Sequence, residues 1–267
     1  MNGSRIGAIV LRQIYLYRGS PQRILPMFAW VAIDILLWGF ITRYLNTVAH
    51  SGFDFVPQLL GAVLLWDFLT RVMQGVTMAF FEDVWSRNFL NFFAAPLTTS
   101  EYLAGLVITG VATSLMGLVV MLGLAWGAFG LSFIGYGAAL APFLMVLFLT
   151  GIALGVAATA IVLRLGPASE WLIWPIPSLI SPFVGVFYPI TVLPSWMQAI
   201  SKVLPPSYVF EGMRAVVTGK PAPWDQLAIG AGLAVVMLGL ACLLFASVYR
   251  HAIRTGLIAR YSAESVS

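Results

Sequence analysis

AALAPFLMVLFLTGIALGVAATAIVL, residues 138–163, is a run of apolar and small residues without one charged side chain. A helix of roughly 20 such residues is long enough to cross the hydrocarbon core of a bilayer. The whole chain has the same character, because 60% of its 267 residues are hydrophobic and 9% are charged. Soluble domains are about 45–50% apolar and about 25% charged, and a soluble protein of this composition would expose large apolar patches. We therefore predict an integral membrane protein built from α-helices.

Five further apolar segments predict the remaining membrane-spanning helices. They are residues 24–44, 56–78, 102–126, 171–188 and 225–249. The predicted fold is one all-α transmembrane domain, residues 1–267, with six transmembrane helices. Gly123 and Gly127, and likewise Gly151 and Gly155, have the four-residue spacing that lets two membrane helices approach closely.

Two segments predict structure at the membrane surface or only part of the way across it. Residues 4–20 are too short and too basic to span, and most of their apolar side chains share one helical arc, so we predict an interfacial helix. Residues 190–214 are cut into short pieces by prolines, and their tryptophan and tyrosine suit a membrane interface. We predict a re-entrant hairpin there, because broken backbone is tolerated where protein or water satisfies it. A plain extracytoplasmic loop is the alternative.

The basic residues indicate the orientation of the chain, since Lys and Arg concentrate on the cytoplasmic side. With a cytoplasmic N-terminus, nine basic residues lie on the cytoplasmic side and four on the other. The cytoplasmic set is Arg5, Arg12, Arg18, Arg23, Arg87, Arg164, Arg250, Arg254 and Arg260. The opposite set is Arg43, Lys202, Arg214 and Lys220. We expect both termini to be cytoplasmic, which requires an even number of spans.

Several function classes need residues that this sequence lacks. A P-loop requires G-x-x-x-x-G-K-[ST], and the nearest text, Gly219-Lys220-Pro221, has neither the first glycine nor the hydroxyl residue. With only His50 and His251, a multi-histidine metal site is not expected, and no hydrolase elbow or zinc-protease motif occurs. The sequence contains no basic cluster with interleaved aromatic residues, so nothing in it favours binding to nucleic acid. We expect a chain that is not an enzyme and that holds no metal or cofactor of its own.

The stretch FFEDVWSRNFLNFFAAPLTTS, residues 80–100, is polar enough to leave the membrane and is amphipathic as a helix. Its aromatic residues fall on one helical face, while Asp83, Arg87 and Asn91 recur every four residues on another. Acid before base at i, i+4 is the favourable order for a helical ion pair. We interpret residues 80–95 as a helix that docks on a soluble partner. An ordinary interfacial loop helix is the alternative.

The next predicted span carries its own start signal. Thr98-Thr99-Ser100-Glu101 has a hydroxyl residue three positions before a glutamate, the pattern that is typical of a capping box. We therefore predict that a helix begins directly after Thr98.

Charged residues inside the predicted spans are candidates for a translocation path. Asp34 lies midway along the first span, and Asp67 and Arg71 are one turn apart in the second. An unpaired charge at the centre of a bilayer costs at least about 2.5–3.5 kcal/mol, so such residues usually pair or line a polar path. We assign them, with Trp66, to the path. A purely structural Asp67–Arg71 pair is the alternative.

Two stretches of sequence carry a resemblance to a known family. They are E-D-x-W-S-R-N-x-L-N…P-L at 82–97 and F-Y-P…L-P-x-W…L-P-P-x-Y…E-x-x-R at 187–214. Together with the predicted interfacial helix, the six spans and the amphipathic loop after the second span, they make residues 5–250 resemble the membrane permease subunit of type-2 ABC exporters. That class includes polysaccharide, lipid-oligosaccharide and drug export permeases.

The resemblance implies a partner and a mechanism. Two permease subunits, commonly a homodimer, would pair with two copies of a separate ATP-binding subunit, which would hold ATP and Mg²⁺. The path between the two copies would be lined by the first, second and fifth spans. The residues in the coupling position are Glu82, Asp83, Trp85, Arg87, Asn88, Asn91 and Pro96. The residues at the outer gate are Phe187, Tyr188, Pro189, Pro194, Tyr208, Glu211 and Arg214.

The expected function is therefore outward transport across a bacterial cytoplasmic (inner) membrane, powered by the partner subunit. The substrate could be a lipid-linked glycan, a polysaccharide or a hydrophobic small molecule, and the sequence does not choose among these. An ion-gradient-driven secondary transporter that uses Asp34 and Asp67 is the alternative function, although we see no inverted repeat that would favour it. A membrane-embedded enzyme is a third reading, and the lack of a catalytic constellation counts against it.

Overall fold

The computed structural model describes residues 2–19, 21–49, 56–85, 97–131 and 133–255, and the regular secondary structure in these ranges is helical. The α-helices are α1 Gly3–Arg18, α2 Pro21–Ala49, α3 Gly61–Trp85, α4 Thr99–Phe129, α5 Leu140–Leu165, α6 Pro175–Val184, α7 Ser195–Ser201, α8 Pro205–Val217 and α9 Trp224–Thr255. A π-helical turn, Val56–Leu60, runs directly into α3, and 3₁₀ turns cover Phe133–Ala139, Pro167–Leu172 and Ile190–Val192. The all-α prediction is confirmed for the part of the chain that the structure describes.

Within these ranges, five helices are long and apolar enough to cross a membrane. They cover Ala29–Val48, Val56–Asp83, Ser100–Phe129, Tyr136–Leu165 and Trp224–Thr255. A multi-pass membrane protein is therefore confirmed. A sixth continuous span is not confirmed among the described residues.

The central helix of the domain is α5, which packs against α3 on one side and against α9 on another. Its approach to α3 is close at two glycines. A Cβ atom built at Gly151 would lie 2.9 Å from the carbonyl oxygen of Leu69, and one at Gly155 would lie 2.8 Å from that of Met73. The backbones can therefore touch only because both positions lack a side chain, as their spacing predicts.

The second predicted pair of small residues does not act in this way. A Cβ atom at Gly123 or Gly127 would meet nothing within 4 Å in the described structure. Both glycines lie on α4, which packs against α3 through Gly75 and Gly110 instead: a Cβ atom at Gly75 would lie 2.9 Å from the carbonyl oxygen of Gly110. The four-residue spacing of two glycines therefore did not distinguish a pair that packs against another helix from a pair that contacts nothing.

The outermost helix is α2, whose main packing is against α4 and the π-helical turn before α3. A small apolar cluster holds it there, and its members are Val31, Ile35, Leu60, Leu64, Met121, Ala125 and Leu131. The other face of α2 is apolar and exposed, with Trp30, Leu37 and Phe40 all more than half accessible. This helix presents a long apolar surface that the other described residues do not cover.

The predicted fifth span, residues 171–188, is an interrupted helix. A 3₁₀ turn from Pro167 to Leu172 is followed by α6, which has ten residues. Proline has no N–H to donate to the preceding turn, so Pro175 and Pro177 prevent a continuous ladder of α-helical hydrogen bonds. Ile173 and Trp174 keep helical backbone angles across the junction, and the backbone therefore continues in a helical course.

The predicted second span and the predicted docking helix share one helix. The sequence predicts a span that ends at residue 78 and a separate helix over 80–95, whereas α3 continues without a break to Trp85. Residues 79–85 contain neither glycine nor proline, so nothing in them ends the helix. The rest of the predicted docking helix, residues 86–95, lies outside the described residues.

Candidate functional site

The C-terminal end of α3 meets α1 and α4 at a buried ion pair. Nη1 of Arg12 on α1 donates to Oδ1 of Asp83, and the hydroxyl of Tyr102 on α4 donates to Oδ2 at 2.9 Å. The Asp83 side chain is 0% exposed, and Tyr249 of α9 lies close enough to Tyr102 to interact with it electrostatically. One carboxylate therefore joins three helices, with a fourth beside them. We call Arg12, Asp83 and Tyr102 the arginine–aspartate node.

The register of α1 against α3 places Arg12 at this carboxylate. Ile9 and Gln13 of α1 are buried, and Nε2 of Gln13 donates to the carbonyl oxygen of Ala79 at 3.2 Å. Ala79 is one helical turn before Asp83, so the same face of α1 contacts successive turns of α3. A buried carboxylate is stable only where charged or hydrogen-bonding groups reach it, and Arg12 and Tyr102 supply them.

The start of α4 is joined to the start of α1 by a second carboxylate. Glu101 N donates to Oγ1 of Thr98 at 3.3 Å, and Thr98 N donates to Oε2 of Glu101 at 3.0 Å, which confirms the predicted capping box. The same glutamate accepts from Asn2 N at 2.7 Å and from Nη1 of Arg5 at 3.4 Å. We call Asn2, Arg5, Thr98 and Glu101 the glutamate cap.

These two contacts lie on either side of the predicted docking segment. The arginine–aspartate node comes just before residue 86, and the glutamate cap comes just after residue 96. Both attach to α1, through Arg12 and Arg5.

The predicted coupling residues divide into two groups. Glu82 and Asp83 are buried at the end of α3, so Asp83 faces Arg12 and Tyr102 and is not presented to solvent. Trp85 is the last residue of α3. The remaining predicted coupling residues lie outside the described residues: Arg87, Asn88, Asn91 and Pro96.

The resemblance implied that the N-terminal helix moves with the coupling helix, but sequence reasoning did not identify the residues of α1 that contribute to this site. Arg5 and Arg12 are counted above only as basic residues of the cytoplasmic side. They are seven positions apart, so they lie on one face of the helix, and this spacing was the available signal. Tyr102 gave no signal, since an aromatic residue at the start of an apolar helix is usually an interface residue.

The structure brings together the three charged residues predicted inside the spans. Asp34 of α2 is close enough to Asp67 and Arg71 of α3 for all three charges to interact electrostatically. Oδ2 of Asp67 is buried and has no hydrogen-bond partner among the described residues. The side chain of Arg71 fills the space that a Cβ atom at Gly117 of α4 would occupy. Charges of opposite sign from α2 and α3 therefore interact in this region, and the Arg71 side chain packs against α4.

Trp66 does not belong to this group of charges. Its ring lies 6.3 Å from the ring of Phe210 on α8, at an interplanar angle of 50°, and it packs against the main apolar core. Neighbouring residues on a helix point about 100° apart, so Trp66 and Asp67 face different surroundings.

At the opposite end of α9, a buried arginine holds the turn that ends α6. Gly185 has a φ of +66°, a conformation that residues with side chains rarely adopt. Nη2 of Arg214 on α8 donates to the carbonyl oxygen of Gly185 at 2.6 Å and to Oε1 of Glu211 at 3.0 Å. Oε1 of Glu211 also accepts from Ile190 N at 2.8 Å. We call Glu211 and Arg214 the arginine–glutamate clamp, which fixes both ends of residues 185–190.

Phe187 connects this turn to the outermost helix. Its ring stacks on Trp38 of α2 with 5.1 Å between ring centroids and an interplanar angle of 14°. Trp38 is one helical turn after Asp34, so the predicted gate and the predicted path lie next to each other along α2. Trp38 itself was not predicted as a functional residue.

The other predicted gate residues make local contacts in residues 182–208, where the structure has a 3₁₀ turn and short helices and the predicted re-entrant insertion stays a prediction. The hydroxyl of Tyr188 donates to a carbonyl of α6 at 2.8 Å, and that of Tyr208 donates to the carbonyl just after α7 at 2.7 Å. Pro189 and Pro194 immediately precede the 3₁₀ turn and α7, where a residue without an N–H loses no helical hydrogen bond.

The described residues include no group of three His, Cys, Asp or Glu side chains that could hold a metal ion.

Comparison with known proteins gives one match. A family model described as ABC-2 type transporter matches residues 4–218, which is more than half of the 267-residue chain. A search of curated proteins finds no match.

Proposed function

This chain belongs to the ABC-2 type transporter family, and we propose that it is the permease subunit of an exporter driven by a separate ATPase subunit, to which it couples through α1 and residues 82–101. The family supplies the transport role and the need for an ABC ATPase partner. The route by which the ATPase subunit would act on the membrane helices is inferred from contacts in this chain.

One observation carries this proposal. The ion contacts of Asp83 and Glu101 lie on either side of residues 86–96, and both lead to α1. The described residues at both ends of this segment are therefore joined to α1, so that a movement of either end would be passed to α1. The ATPase subunit would act on residues 86–96, where Arg87, Asn88 and Asn91 remain the proposed docking residues.

The push would reach the far end of the molecule through continuous helices. Tyr102 of the node is close enough to Tyr249, near the end of α9, to interact with it electrostatically, and α9 begins beside α8. At a rise of about 1.5 Å per residue, the part of α9 between Tyr249 and Trp224 would carry the motion over roughly 38 Å. The arginine–glutamate clamp and the Phe187–Trp38 stack at that end form the proposed outer gate.

The proposed path lies between two copies of the chain. The exposed apolar face of α2 is the surface that a second copy would cover, and Asp34 lies on this helix beside Asp67 and Arg71. We propose that these charges line the path. The secondary-transporter alternative is not favoured, because the family couples transport to an ATPase.

The membrane topology completes the proposal. We propose six crossings, with residues 167–184 as the interrupted fifth, both termini on the cytoplasmic side and the bacterial inner membrane as the location. The substrate is proposed to be a lipid-linked glycan, a polysaccharide or a hydrophobic small molecule, and ATP with Mg²⁺ would bind in the partner subunit.

The coupling path can be tested without knowing the substrate. A Val192→Cys reporter in a Cys242→Ser background has one thiol in this chain, at an exposed position beside the proposed gate. In the complex with the ATPase subunit, we expect ATP to change the rate at which a membrane-impermeant maleimide labels this thiol. Arg12→Met removes the cation of the node, and we expect the ATP-dependent change in labelling to disappear while the complex still assembles and hydrolyses ATP.

Arg18→Met is the matched control, because Arg18 is exposed on the same helix and makes no ion pair with another described residue. It should leave the ATP-dependent change in labelling intact. An Arg12→Met complex that responds to ATP like the parent would show that the node does not carry the coupling.

A further inference from the structure

The exposed face of α9 changes from apolar to basic along the helix. Six side chains on this face point within about 40° of one direction at 100° per residue, and all six are exposed. They are Val236, Leu240, Leu243, Ser247, Arg250 and Arg254. The opposite face of α9 is buried, with α5 as its main neighbour. We call the six residues the α9 stripe.

The apolar part of the stripe has the length of one lipid leaflet. Val236 and Ser247 are separated by roughly 16 Å at a rise of about 1.5 Å per residue, and half of the hydrocarbon core of a bilayer is about 15 Å thick. Arg250 and Arg254 follow within the next two turns. Because exposed charges avoid hydrocarbon, these arginines mark the level of the lipid headgroups. The stripe therefore matches a phospholipid in its length and in the order of its apolar and polar parts.

The two arginines have no anionic partner in the part of the chain that the structure describes. Neither forms an ion pair there, and residues 226–255 contain no aspartate or glutamate. Nε of Arg250 donates to the carbonyl oxygen of Ala246 at 3.2 Å, which leaves its two Nη groups. A guanidinium binds phosphate through paired hydrogen bonds, and helical residues four positions apart are neighbours on the surface. Arg250 and Arg254 can therefore reach the same phosphate.

Ser247 is an independent sign of a polar ligand beside the arginines. Both threonines of α5, Thr150 and Thr159, donate to the carbonyl one turn earlier, at 2.7 and 2.8 Å. The hydroxyl of Ser247 is exposed and has no hydrogen-bond partner among the described residues. It lies one turn before Arg250, at the level of the ester groups of a lipid, and an ester carbonyl can accept its hydrogen bond.

The charge of the stripe selects among phospholipids. A zwitterionic headgroup carries a cationic amine beside its phosphate, and the two guanidinium groups repel that amine. An anionic headgroup has no such cation, and basic residues at the end of a membrane helix attract anionic lipids. We propose that the α9 stripe binds one anionic phospholipid, with its phosphate at Arg250 and Arg254 and its ester groups at Ser247. An acyl chain lies along the apolar part of the stripe.

Two other occupants match the stripe less well. A two-fold dimer places the same surface of each copy against the other, so a second copy of this chain would bring four arginines together. A soluble subunit would reach the arginines but not the apolar part of the stripe. The proposal rests on α9 alone and stands whether or not the transport function above is correct.

Lipid binding to the purified full-length chain tests this proposal. The delipidated chain in mild detergent is titrated with phosphatidylglycerol or with phosphatidylcholine of the same acyl chains, and native mass spectrometry measures the bound lipid. We expect phosphatidylglycerol to bind about thirtyfold more tightly, the effect of two basic side chains beside an anionic headgroup. High salt should reduce this preference, because it screens exposed charges.

The double variant Arg250→Gln, Arg254→Gln should remove the preference for phosphatidylglycerol. The double variant Lys202→Gln, Lys220→Gln is the matched control, because it removes two exposed cations that lie outside α9, and it should leave the preference intact. Arg250→Lys with Arg254→Lys keeps both charges and should retain most of the preference. Ser247→Ala should weaken the binding of both lipids by about fivefold, since both have ester groups.

Three results would overturn the proposal. The first is equal affinity of the parent chain for the two lipids, and the second is an equal loss of phosphatidylglycerol binding in the two glutamine double variants. The third is an unchanged preference when Arg250 and Arg254 are both replaced by glutamine. That result would mean that the arginines serve only the end of the helix or, where the variant also binds the ATPase subunit more weakly, that subunit.

Discussion

Several charged side chains in this molecule bond segments that are far apart in the sequence. Only 9% of the residues are charged, yet Asp83, Glu101 and Arg214 each bond to groups far away in the sequence. Removing one partner of a buried charge costs more than the contact itself contributes, because the other partner is left without compensation. At the residue scale, the account therefore predicts large effects at these positions and small effects at exposed charges.

Arg214→Met should destabilise the hairpin at the proposed gate. The substitution keeps most of the side-chain volume but leaves the Gly185 carbonyl without its donor and Glu211 without its cation. Hydrogen bonds to charged groups contribute about 1.5–3 kcal/mol each, and since Glu211 is partly exposed we expect a loss of about 2 kcal/mol in the free energy of unfolding. Thermal unfolding in detergent measures this loss.

Lys220→Met is the control for that measurement. Lys220 is an exposed cation that follows the same helix, and its replacement should change the free energy of unfolding by less than about 0.5 kcal/mol. Equal effects of Arg214→Met and Lys220→Met would show that the clamp does not hold the turn.

At the element scale, the interrupted helix before the hairpin is the feature that most affects the topology. Six residues of 3₁₀ helix at about 2.0 Å each and twelve residues of α-helical backbone at about 1.5 Å each give a length of roughly 30 Å. The hydrocarbon core of a bilayer is about 30 Å thick. Residues 167–184 are therefore long enough to cross, although prolines divide them into two kinds of helix.

Cysteine accessibility tests this crossing. In a Cys242→Ser background, Ala168→Cys places a thiol at an exposed position at the start of the interrupted helix, and Thr191→Cys places one at an exposed position after its end. We expect an impermeant maleimide to label Ala168→Cys only from the cytoplasmic side and Thr191→Cys only from the opposite side. Labelling of both thiols from one side would mean that residues 167–184 do not cross, and the number of spans would be odd.

The sequence predicted the long helices better than it predicted where one helix ends and the next begins. The apolar run at 138–163 corresponds to α5, since a long run without charges leaves few other structures for the backbone in a membrane. The prolines at 175 and 177 were visible, but whether they end a helix or merely bend it depends on what packs around them. The break at residue 78 was predicted from polarity, whereas backbone geometry continues α3 to Trp85.

At the scale of the whole molecule, the contacts that join elements could not be predicted from one sequence. Arg12 and Asp83 are 71 positions apart, and only the packing of α1 against α3 brings them together. The resemblance of two short stretches to a family predicted the transport role, because such motifs reflect a shared fold rather than local chemistry.

The composition of the working complex is the measurement that tests the central claim most directly. The chain would be purified in a mild detergent from its own membrane, and the mass of the complex determined by native mass spectrometry alongside its ATP hydrolysis. We predict two copies of this chain with two copies of a P-loop subunit, and hydrolysis that is lost when the P-loop lysine of that subunit is replaced. A chain that exports its substrate with no P-loop subunit bound or present would contradict the claim.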